Sequence, residues 1–305
     1  MNEITPFSMP GPFLRGNLHT HTTNSDGVLP LEEVVLKYKN SGYDFLSITD
    51  HFLPSYDFPI TDAREYRSDT FTPISGVELH APRTANCDLW HISAIGIPYD
   101  FAPRLLDEDG PAIARRAAEA GAFITLVHPG WYSLSLEDAA TIEVAHAVEI
   151  YNHGCQIMHD KGHGAYLLDG MLDRGHKLLT TAVDDAHFRS PDFGYAWIEL
   201  KAKSREPEDI LQALKDGHFY STQGPQFHTI AVSDAQDQLY VECSAVSGVL
   251  VVGCGYLHAH HFATGLSKAT ISLEPLASSP WFRVVLIGAD GKQAWSNPIW
   301  KEDLR

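Results

Sequence analysis

Residues 18–27 read LHTHTTNSDG, and the way this stretch joins a short apolar run to a chemistry-rich turn decides how the rest of the chain is read. The run that leads into it, residues 16–19, has the length of a strand. His19 and His21 stand two positions apart and so point to the same side of an extended segment, with Asp26 in the turn that follows. A helical pattern, LPLEEVVLKYKNSG at 29–42, comes next, and then a second strand-like run at 45–48. The same alternation continues to about residue 220, with strands expected at 72–77, 91–97, 123–127, 147–150, 178–183 and 196–200 and helices at 110–121, 136–145, 163–175 and 206–217. Gly42, Gly121, Gly175 and Gly217 close helical patterns where left-handed caps are expected. Seven or eight such units favour a closed or nearly closed α/β barrel with catalytic groups at the carboxyl ends of its strands, and an open doubly wound sheet is the alternative.

After STQGPQF (residues 221–227) the pattern changes to TIAVSD, QLYVECSAV, GVLVVGCGY, KATISLEPL and WFRVVLIGAD, with turns between and no clear helix. This reads as a small antiparallel β-sandwich. The natural cut lies near Gly224, giving a barrel over residues 1–224 and a C-terminal β domain over 225–305. That domain is expected to pack on the barrel or to make the contact of a homo-oligomer. Its histidines, His258, His260 and His261, are read as exposed loop residues rather than a second metal site.

The composition bounds the function. The chain has 305 residues, 44% of them hydrophobic and 20% charged, a globular balance long enough to bury a full core. A formal net charge of −17 excludes long contact with a polynucleotide backbone, which needs clustered Lys and Arg. Apolar runs such as 249–252 are far too short to cross a bilayer, and the opening MNEITPFSMPGPF lacks the basic region and apolar run of a secretory signal, so a cytoplasmic location without membrane contact is expected. Cys87, Cys155, Cys243 and Cys254 show no C-x-x-C spacing and are expected to be buried small hydrophobes.

The compositional oddity is the 17 histidines, many of them beside Asp, Glu or Pro at the ends of apolar runs. The second strand ends ITDH (Asp50, His51), the third GVELH (Glu78, His80), the fifth LVHPG (His128), the sixth VEIYNHG (Glu149, Asn152, His153) and the seventh AVDDAHF (Asp184, Asp185, His187), while His91 opens the fourth. One His-x-His is more often a pair of hydrogen-bonded residues, a lone His-Pro a turn, and a lone Asp-Ala-His a helix cap. Five or six such elements at successive strand ends are not explained that way. Imidazole and carboxylate are the ligands that borderline divalent ions take, and one Glu bridging two ions is a usual device of multi-metal hydrolases.

In order, the motifs HTHTTNSDG, DFLSITDH, GVELH with His91 thirteen residues after Glu78, LVHPG, VEIYN and VDDAH resemble the PHP (polymerase and histidinol phosphatase) superfamily of metallohydrolases over residues 15 to about 223. The resemblance implies a distorted (β/α)7-type barrel with ligands at the carboxyl ends of its strands and two or three divalent metal ions, commonly manganese, iron or zinc. Carried over by position, His19, His21, Glu78 and Asp185 would form one ion site, with Glu78 bridging to a second ion held by His91 and His128. Asp26, His51 and His187 would hold a third, and an oxygen ligand at Asp26, where some relatives have His, favours harder ions or weaker occupancy. Asp50 and Asp184, next to ligands, are read as structural groups or as acceptors for the second nitrogen of metal-bound imidazoles. His80, His153, His159 and His163 are extra and are read as structural or substrate-lining, with Asn152 holding the site's shape.

Such a cluster lowers the pKa of a shared water from about 15.7 to around 7 and so provides a hydroxide nucleophile at neutral pH. The chain has no G-x-S-x-G element that would supply a serine instead. The expected activity is hydrolysis of a small phosphorylated metabolite or nucleotide, with Glu78 and Asp185 in the catalytic centre and a cationic side chain on the phosphate. Arg83 is the first choice for that cation, ahead of Lys161 and Arg189. A hydrolase of a carboxylic or carbamate ester or amide, as in the subgroup resembling carbaryl hydrolase, is the alternative. A non-catalytic metal-binding module whose C-terminal domain docks a partner is a third reading, against which the completeness of the ligand set argues.

Overall fold

Short apolar runs broken by Gly, Pro and Asp turns become eighteen strands, and the amphipathic stretches between them become six α-helices, in a computed structural model that describes residues 1–304. The first half runs β1 (Asn2–Glu3), β2 (Leu14–Asn17), α1 (Leu31–Asn40), β3 (Phe45–Ser47), β4 (His51–Phe52), β5 (Thr72–Ile74), β6 (Gly76–Ala81), β7 (Trp90–Ile95), α2 (Gly110–Glu119), β8 (Phe123–Leu126), α3 (Leu136–Thr141) and β9 (Ala147–Asn152). It continues through α4 (His153–His159), α5 (Ala165–Asp173), β10 (Leu179–Val183), β11 (Trp197–Leu200), α6 (Pro207–Lys215) and β12 (Phe219–Thr222). The rest is all strand: β13 (Phe227–Val232), β14 (Gln238–Gly253), β15 (His258–Ser272), β16 (Trp281–Ile287), β17 (Gln293–Ser296) and β18 (Ile299–Trp300).

Helix α2 shows why the boundaries fall where they do. Asp109 caps its first turn by accepting from Ala112 N, Pro111 fits a position that needs no donor, and Ile113, Ala114 and Ala117 form the buried stripe. The four glycines expected to end helical patterns all have positive φ, between 71° and 99°. No helix among the described residues is long and apolar enough to cross a membrane.

The strands form two sheets, in a mixed α/β architecture with no single closed ring. One six-stranded sheet has the order β10-β9-β8-β7-β6-β4, and a twelve-stranded one carries β11, β2, β3 and β5 together with the C-terminal strands. An isolated parallel bridge between Thr20 and Ala186 joins the chain just beyond β2 to the chain just beyond β10. The expected series of parallel units is broken at two places. Strand β7 is antiparallel to both β6 and β8, because residues 82–89 form a loop shorter than the dozen or so residues that a parallel crossover needs. Strand β11, the eighth expected unit, also runs antiparallel, against β2 and β12.

The C-terminal strands are antiparallel as expected, but they do not form a sandwich of two separate sheets. β17 pairs with β12, β1 pairs with β13, and all belong to the twelve-stranded sheet. They enclose a hydrophobic cluster that includes Phe227, Val241, Val251, Phe282 and Leu286. Trp281, Val285 and Trp295 instead join the large core packed between β6–β10 and helices α2, α3 and α5. His258, His260 and His261 lie on β15 rather than in a loop, and all three are exposed.

One ion pair ties these strands to α5. Arg283 on β16 donates from Nε and Nη2 to the two oxygens of Asp169, both at 2.8 Å, with the Arg283 side chain only 6% exposed. Asp169→Ala leaves that guanidinium buried without its partner, so a loss of roughly 3 kcal/mol is expected. Urea unfolding of the two proteins measures it, and an unchanged midpoint would show that the pair does not anchor β16.

Candidate metal centre

The strands bring their carboxyl ends to one place. His19 and His21 follow β2, and the backbone locks them to the β10 end: His21 N donates to Ala186 O at 2.9 Å and Asp185 N to His19 O at 3.0 Å. His51 opens β4, Glu78 lies within β6, His91 within β7, His128 follows β8, and Asp185 and His187 follow β10. His128 and Asp185 have left-handed backbones, φ 28° and 52°, a conformation that costs a non-glycine residue about 1–3 kcal/mol and collects at functional sites. Gly154 is needed for the approach of α4, since a Cβ there would stand 2.8 Å from Asp185 O.

Three groups of side chains result. In the first, His19 Nε2 and His21 Nε2 stand 3.2 and 3.1 Å from Asp185 Oδ1, and 3.7 and 3.6 Å from Glu78 Oε2. In the second, the other oxygen of Glu78, Oε1, lies 3.2 Å from His128 Nε2 and 2.7 Å from His91 Nδ1. In the third, Asp26 Oδ1 lies 3.3 Å from His51 Nε2, 3.2 Å from His187 Nε2 and 3.9 Å from His21 Nδ1. Donor atoms bound about 2.0–2.2 Å from one ion at tetrahedral or octahedral angles stand roughly 3.0–3.5 Å apart, the spacing seen in most of these contacts. His19, Glu78 and His128 offer donors within 4.8 Å of one another, as do His19, His21 and Asp185; His21, Asp26, His51 and His187; and His51, Glu78 and His80, whereas His91 is in none of these groups.

The residues fit divalent ions by a second criterion. Buried polar atoms nearly always have hydrogen bonds, yet His19 Nε2, Glu78 Oε2 and Asp26 Oδ1 are buried with none of acceptable geometry, three of the eight such atoms among the described residues. The opposite nitrogens are occupied. His19 Nδ1 is bonded to Glu149 Oε1 at 2.7 Å, and His187 Nδ1 to the Asp185 carbonyl at 3.0 Å, leaving the other nitrogen of each ring turned inward.

The electrostatics follow from burial without cationic side chains. Among the described residues no Lys or Arg pairs with Glu78, Asp185 or Glu149; their charged partners are all imidazoles. Burial alone would push the Glu78 carboxyl up, but the imidazoles of His51, His80 and His91 hold it well below the usual carboxylate range. Asp185 is held down in the same way by His19, His21 and His187. His19 is raised well above the usual imidazole value, against its burial, by Asp185 and Glu149, whereas His21 falls to about 4 because burial is joined by His187 and His51. His51 rises to about 10 against its burial, through Glu78 and Asp26. The cavity thus favours positive charge between its carboxylates.

Residues outside the ligand set hold this frame. Asn152 donates to Glu149 Oε2 at 2.9 Å and to Asp185 Oδ2 at 3.0 Å, and its Oδ1 accepts from Cys155 N as the cap of α4. Glu149, one of the strand-end candidates in the sequence to which the resemblance assigned no ion, is the carboxylate that meets the His19 imidazole. Its signal was a charge in the middle of the apolar strand AVEIY. Asp50 and Asp184 do not accept from any ligand imidazole. Asp50 takes Thr22 N, Thr22 Oγ1, Ser25 Oγ and Thr61 Oγ1 at 2.6–2.7 Å, and Asp184 takes Gly194 N, Tyr195 N, Ala196 N and Tyr38 OH at 2.8–3.0 Å. They tie loops to strands.

The expected cations stand apart from this centre to different degrees. Arg83 is exposed in the 82–89 loop and makes no ion pair among the described residues. Lys161 donates to Trp131 O at 3.3 Å, and Arg189 holds the backbone oxygen of Asp26, with its Nη2 3.6 Å from Asp26 Oδ2. His153 is buried against Tyr195, and His159 and His163 are exposed; none of the three joins a ligand group. Cys155 and Cys243 are buried as expected, but Cys87 is exposed and Cys254 half-buried.

No protein-family model and no curated protein matches the chain. Among solved structures it is similar, over 98% of its own length and 98% of the other chain's, to a two-domain protein from Bacteroides vulgatus described as containing a predicted PHP-like metal-dependent phosphoesterase, with 16% identity and a TM-score of 0.57. A protein from Bifidobacterium adolescentis assigned as a metal-dependent phosphoesterase matches 59% of this chain and 91% of its own, at 16% identity and a TM-score of 0.43. An amidohydrolase from Chromobacterium violaceum, solved with bound sulfate and no metal, matches 58% and 89% at 14% identity and a TM-score of 0.40. The first of these likenesses shows that the chain shares the fold of that protein over almost its whole length.

Asn152 gives a direct test of the frame. Asn152→Ala removes two donors to the cluster carboxylates and the α4 cap, so metal affinity is expected to fall about 10–100-fold. Asn152→Asp keeps a capping oxygen but sets a third carboxylate against Glu149 and Asp185, and is expected to unfold at a lower temperature than the Ala variant when metal has been stripped. Chelator competition and thermal unfolding read the two effects, and native behaviour of both variants would remove Asn152 from the frame.

Proposed function

We propose that this chain is a metal-dependent phosphoesterase that hydrolyses a small phosphorylated metabolite or nucleotide at a centre of two or three divalent ions. The ligands we assign are His19, His21, Asp26, His51, Glu78, His91, His128, Asp185 and His187. The observation that carries this reading is Glu78, fully buried, whose two oxygens face two different groups of imidazoles. Divalent ions held there supply Lewis acidity and lower the pKa of bound water to roughly 7.

The chain's own part is to place charge and to exclude solvent. Glu78 and Asp185 supply buried negative charge, and Glu149 and Asn152 fix the orientation of His19 and Asp185. Tyr132 and Trp131 pack edge-on or tilted against His91 and His128, with ring centroids 5.3–5.9 Å apart, and wall off one side. We read the strands that carry ligands as a distorted (β/α)7-type barrel, reversed at β7 and interrupted between β5 and β4, and residues 225–305 as a C-terminal β domain. The substrate is small rather than a polynucleotide, as the net charge of −17 suggests, and the setting is cytoplasmic.

One observation favours a second reading, hydrolysis of a carboxylic or carbamate ester or amide. Arg189 and Lys161 are already engaged with Asp26 and Trp131, which leaves Arg83 as the unpaired cation of the three named for a phosphate group.

Purified protein is expected to carry more than one equivalent of transition metal and to lose activity in chelator. Elemental analysis finding less than half an equivalent, with full activity in chelator, would refute a metal mechanism. Glu78→Gln should lower kcat at least about 10²-fold, because a neutral amide cannot neutralise two cations; a near-native rate would remove Glu78 from the bridging role. Arg83→Ala separates the two chemistries. It should cost roughly 1.5–3 kcal/mol in kcat/KM on the best phosphate ester and little on a neutral ester. A faster neutral ester, with no inhibition by inorganic phosphate, would move the assignment to carbon.

A further inference from the structure

His80 has no place among the proposed ligands, yet it is buried in β6 two residues from Glu78 and faces the centre. Its ring is held from behind. Nδ1 lies 3.1 Å from the carbonyl oxygen of Trp90, which can only accept, so this nitrogen carries the ring proton. Nε2 of the neutral ring is then an acceptor, and it lies 2.8 Å from His51 Nδ1.

Two imidazole nitrogens at that distance share one proton, and with His80 Nε2 bare it belongs to His51 Nδ1. In the neutral ring, the form that binds a cation, the lone pair is then on the remaining nitrogen of His51, Nε2, the atom 3.3 Å from Asp26 Oδ1. Glu78 Oε2, 2.7 Å from His51 Nδ1, is a competing acceptor for the same proton, and a cation on that oxygen would leave His80 Nε2 as the acceptor facing His51 Nδ1.

We propose that His80 is a positioning residue, which fixes His51 as its Nδ1–H tautomer and aims His51 Nε2 at the ion shared with Asp26 and His187. This rests on the reading of His51 as a metal ligand. The choice of residue follows from its neighbours. His19 is backed by a carboxylate, Glu149, but a carboxylate at position 80 would stand close to Glu78, whose Oε2 is 3.8 Å from His80 Nε2. A neutral imidazole orients His51 without adding a like charge there. The β6–β7 hairpin sets the relay, because it pairs His80 with His91 and so brings the Trp90 carbonyl behind the His80 ring.

The test uses the zinc-loaded protein. Long-range proton–nitrogen spectra of the histidine rings are expected to show both His51 and His80 with the proton on Nδ1 and with zinc on His51 Nε2 alone. His80→Ala should weaken one zinc ion about 10–100-fold in chelator competition and leave the others unchanged, and His80→Gln, whose amide oxygen can accept from His51, should restore most of that affinity. Far-UV circular dichroism checks that the variants fold, and the spectra of the native protein need no variant. A proton on His80 Nε2, zinc bound directly to His80, or wild-type affinity in His80→Ala would each overturn the inference and leave the ligand assignment standing. A native protein that binds no zinc at His51 would overturn both.

Discussion

The structure depends on one carboxylate. Glu78 is completely buried, and moving a carboxylate from water to a low-dielectric interior costs several kcal/mol even after the protein relaxes. A Lys or Arg usually offsets such a cost, but the partners of Glu78 are the imidazoles of His19, His21, His51, His80, His91 and His128. Imidazole is neutral at neutral pH unless its surroundings charge it. A cavity built this way is stable when something positive sits between its groups, either protons on selected rings or cations held by them.

Holding so many polar groups in register demands a rigid mounting, and the chain provides it with two further buried carboxylates. Asp50 gathers Thr22, Ser25 and Thr61 and thereby closes the loop that carries Asp26 onto the strand that leads to His51. Asp184 gathers three consecutive backbone amides and Tyr38, pinning the 194–196 segment and α1 to the end of β10. Burial pushes the Asp184 carboxyl up to about 6 in spite of those donors. That cost, with the left-handed backbones of His128 and Asp185, is met by the packing of the strands beneath.

Much of this was legible in the sequence, because clustered histidines and carboxylates, like strands, leave local signals. The short apolar runs, the Gly caps and the ordered motifs from LHTHTTNSDG to AVDDAHF mark the strand ends, and the structure brings His19, His21, Asp26, His51, Glu78, His128, Asp185 and His187 into overlapping groups. Hydrogen bonds between distant residues leave no such signal. That Glu149, rather than Asp50 or Asp184, meets the His19 ring depends on which face of β9 turns inward, and no spacing in the sequence encodes it. The merging of the C-terminal strands with β12 was hidden for the same reason, since Tyr220 and Ser296, which pair in it, lie far apart in the sequence with four other strands between them.

One sequence detail did carry topological information. Most of the histidines and carboxylates at the centre follow a strand or lie at its end, but His91 comes at the beginning of its run, in DLWHISAIG. In a parallel strand that position would lie near the amino end, about 13 Å from the carboxyl end of β7, four residues on at about 3.3 Å per residue. An antiparallel strand starts where its neighbours finish. The β6–β7 register, with His91 opposite His80 and Ser93 opposite Glu78, puts the His91 ring beside Glu78 Oε1 because the strand is reversed. For His91, a place at the start of its apolar run together with the short, helix-free connection over residues 82–89 marks β7 as the reversed strand, whereas His51 opens the two-residue β4, which is parallel to β6.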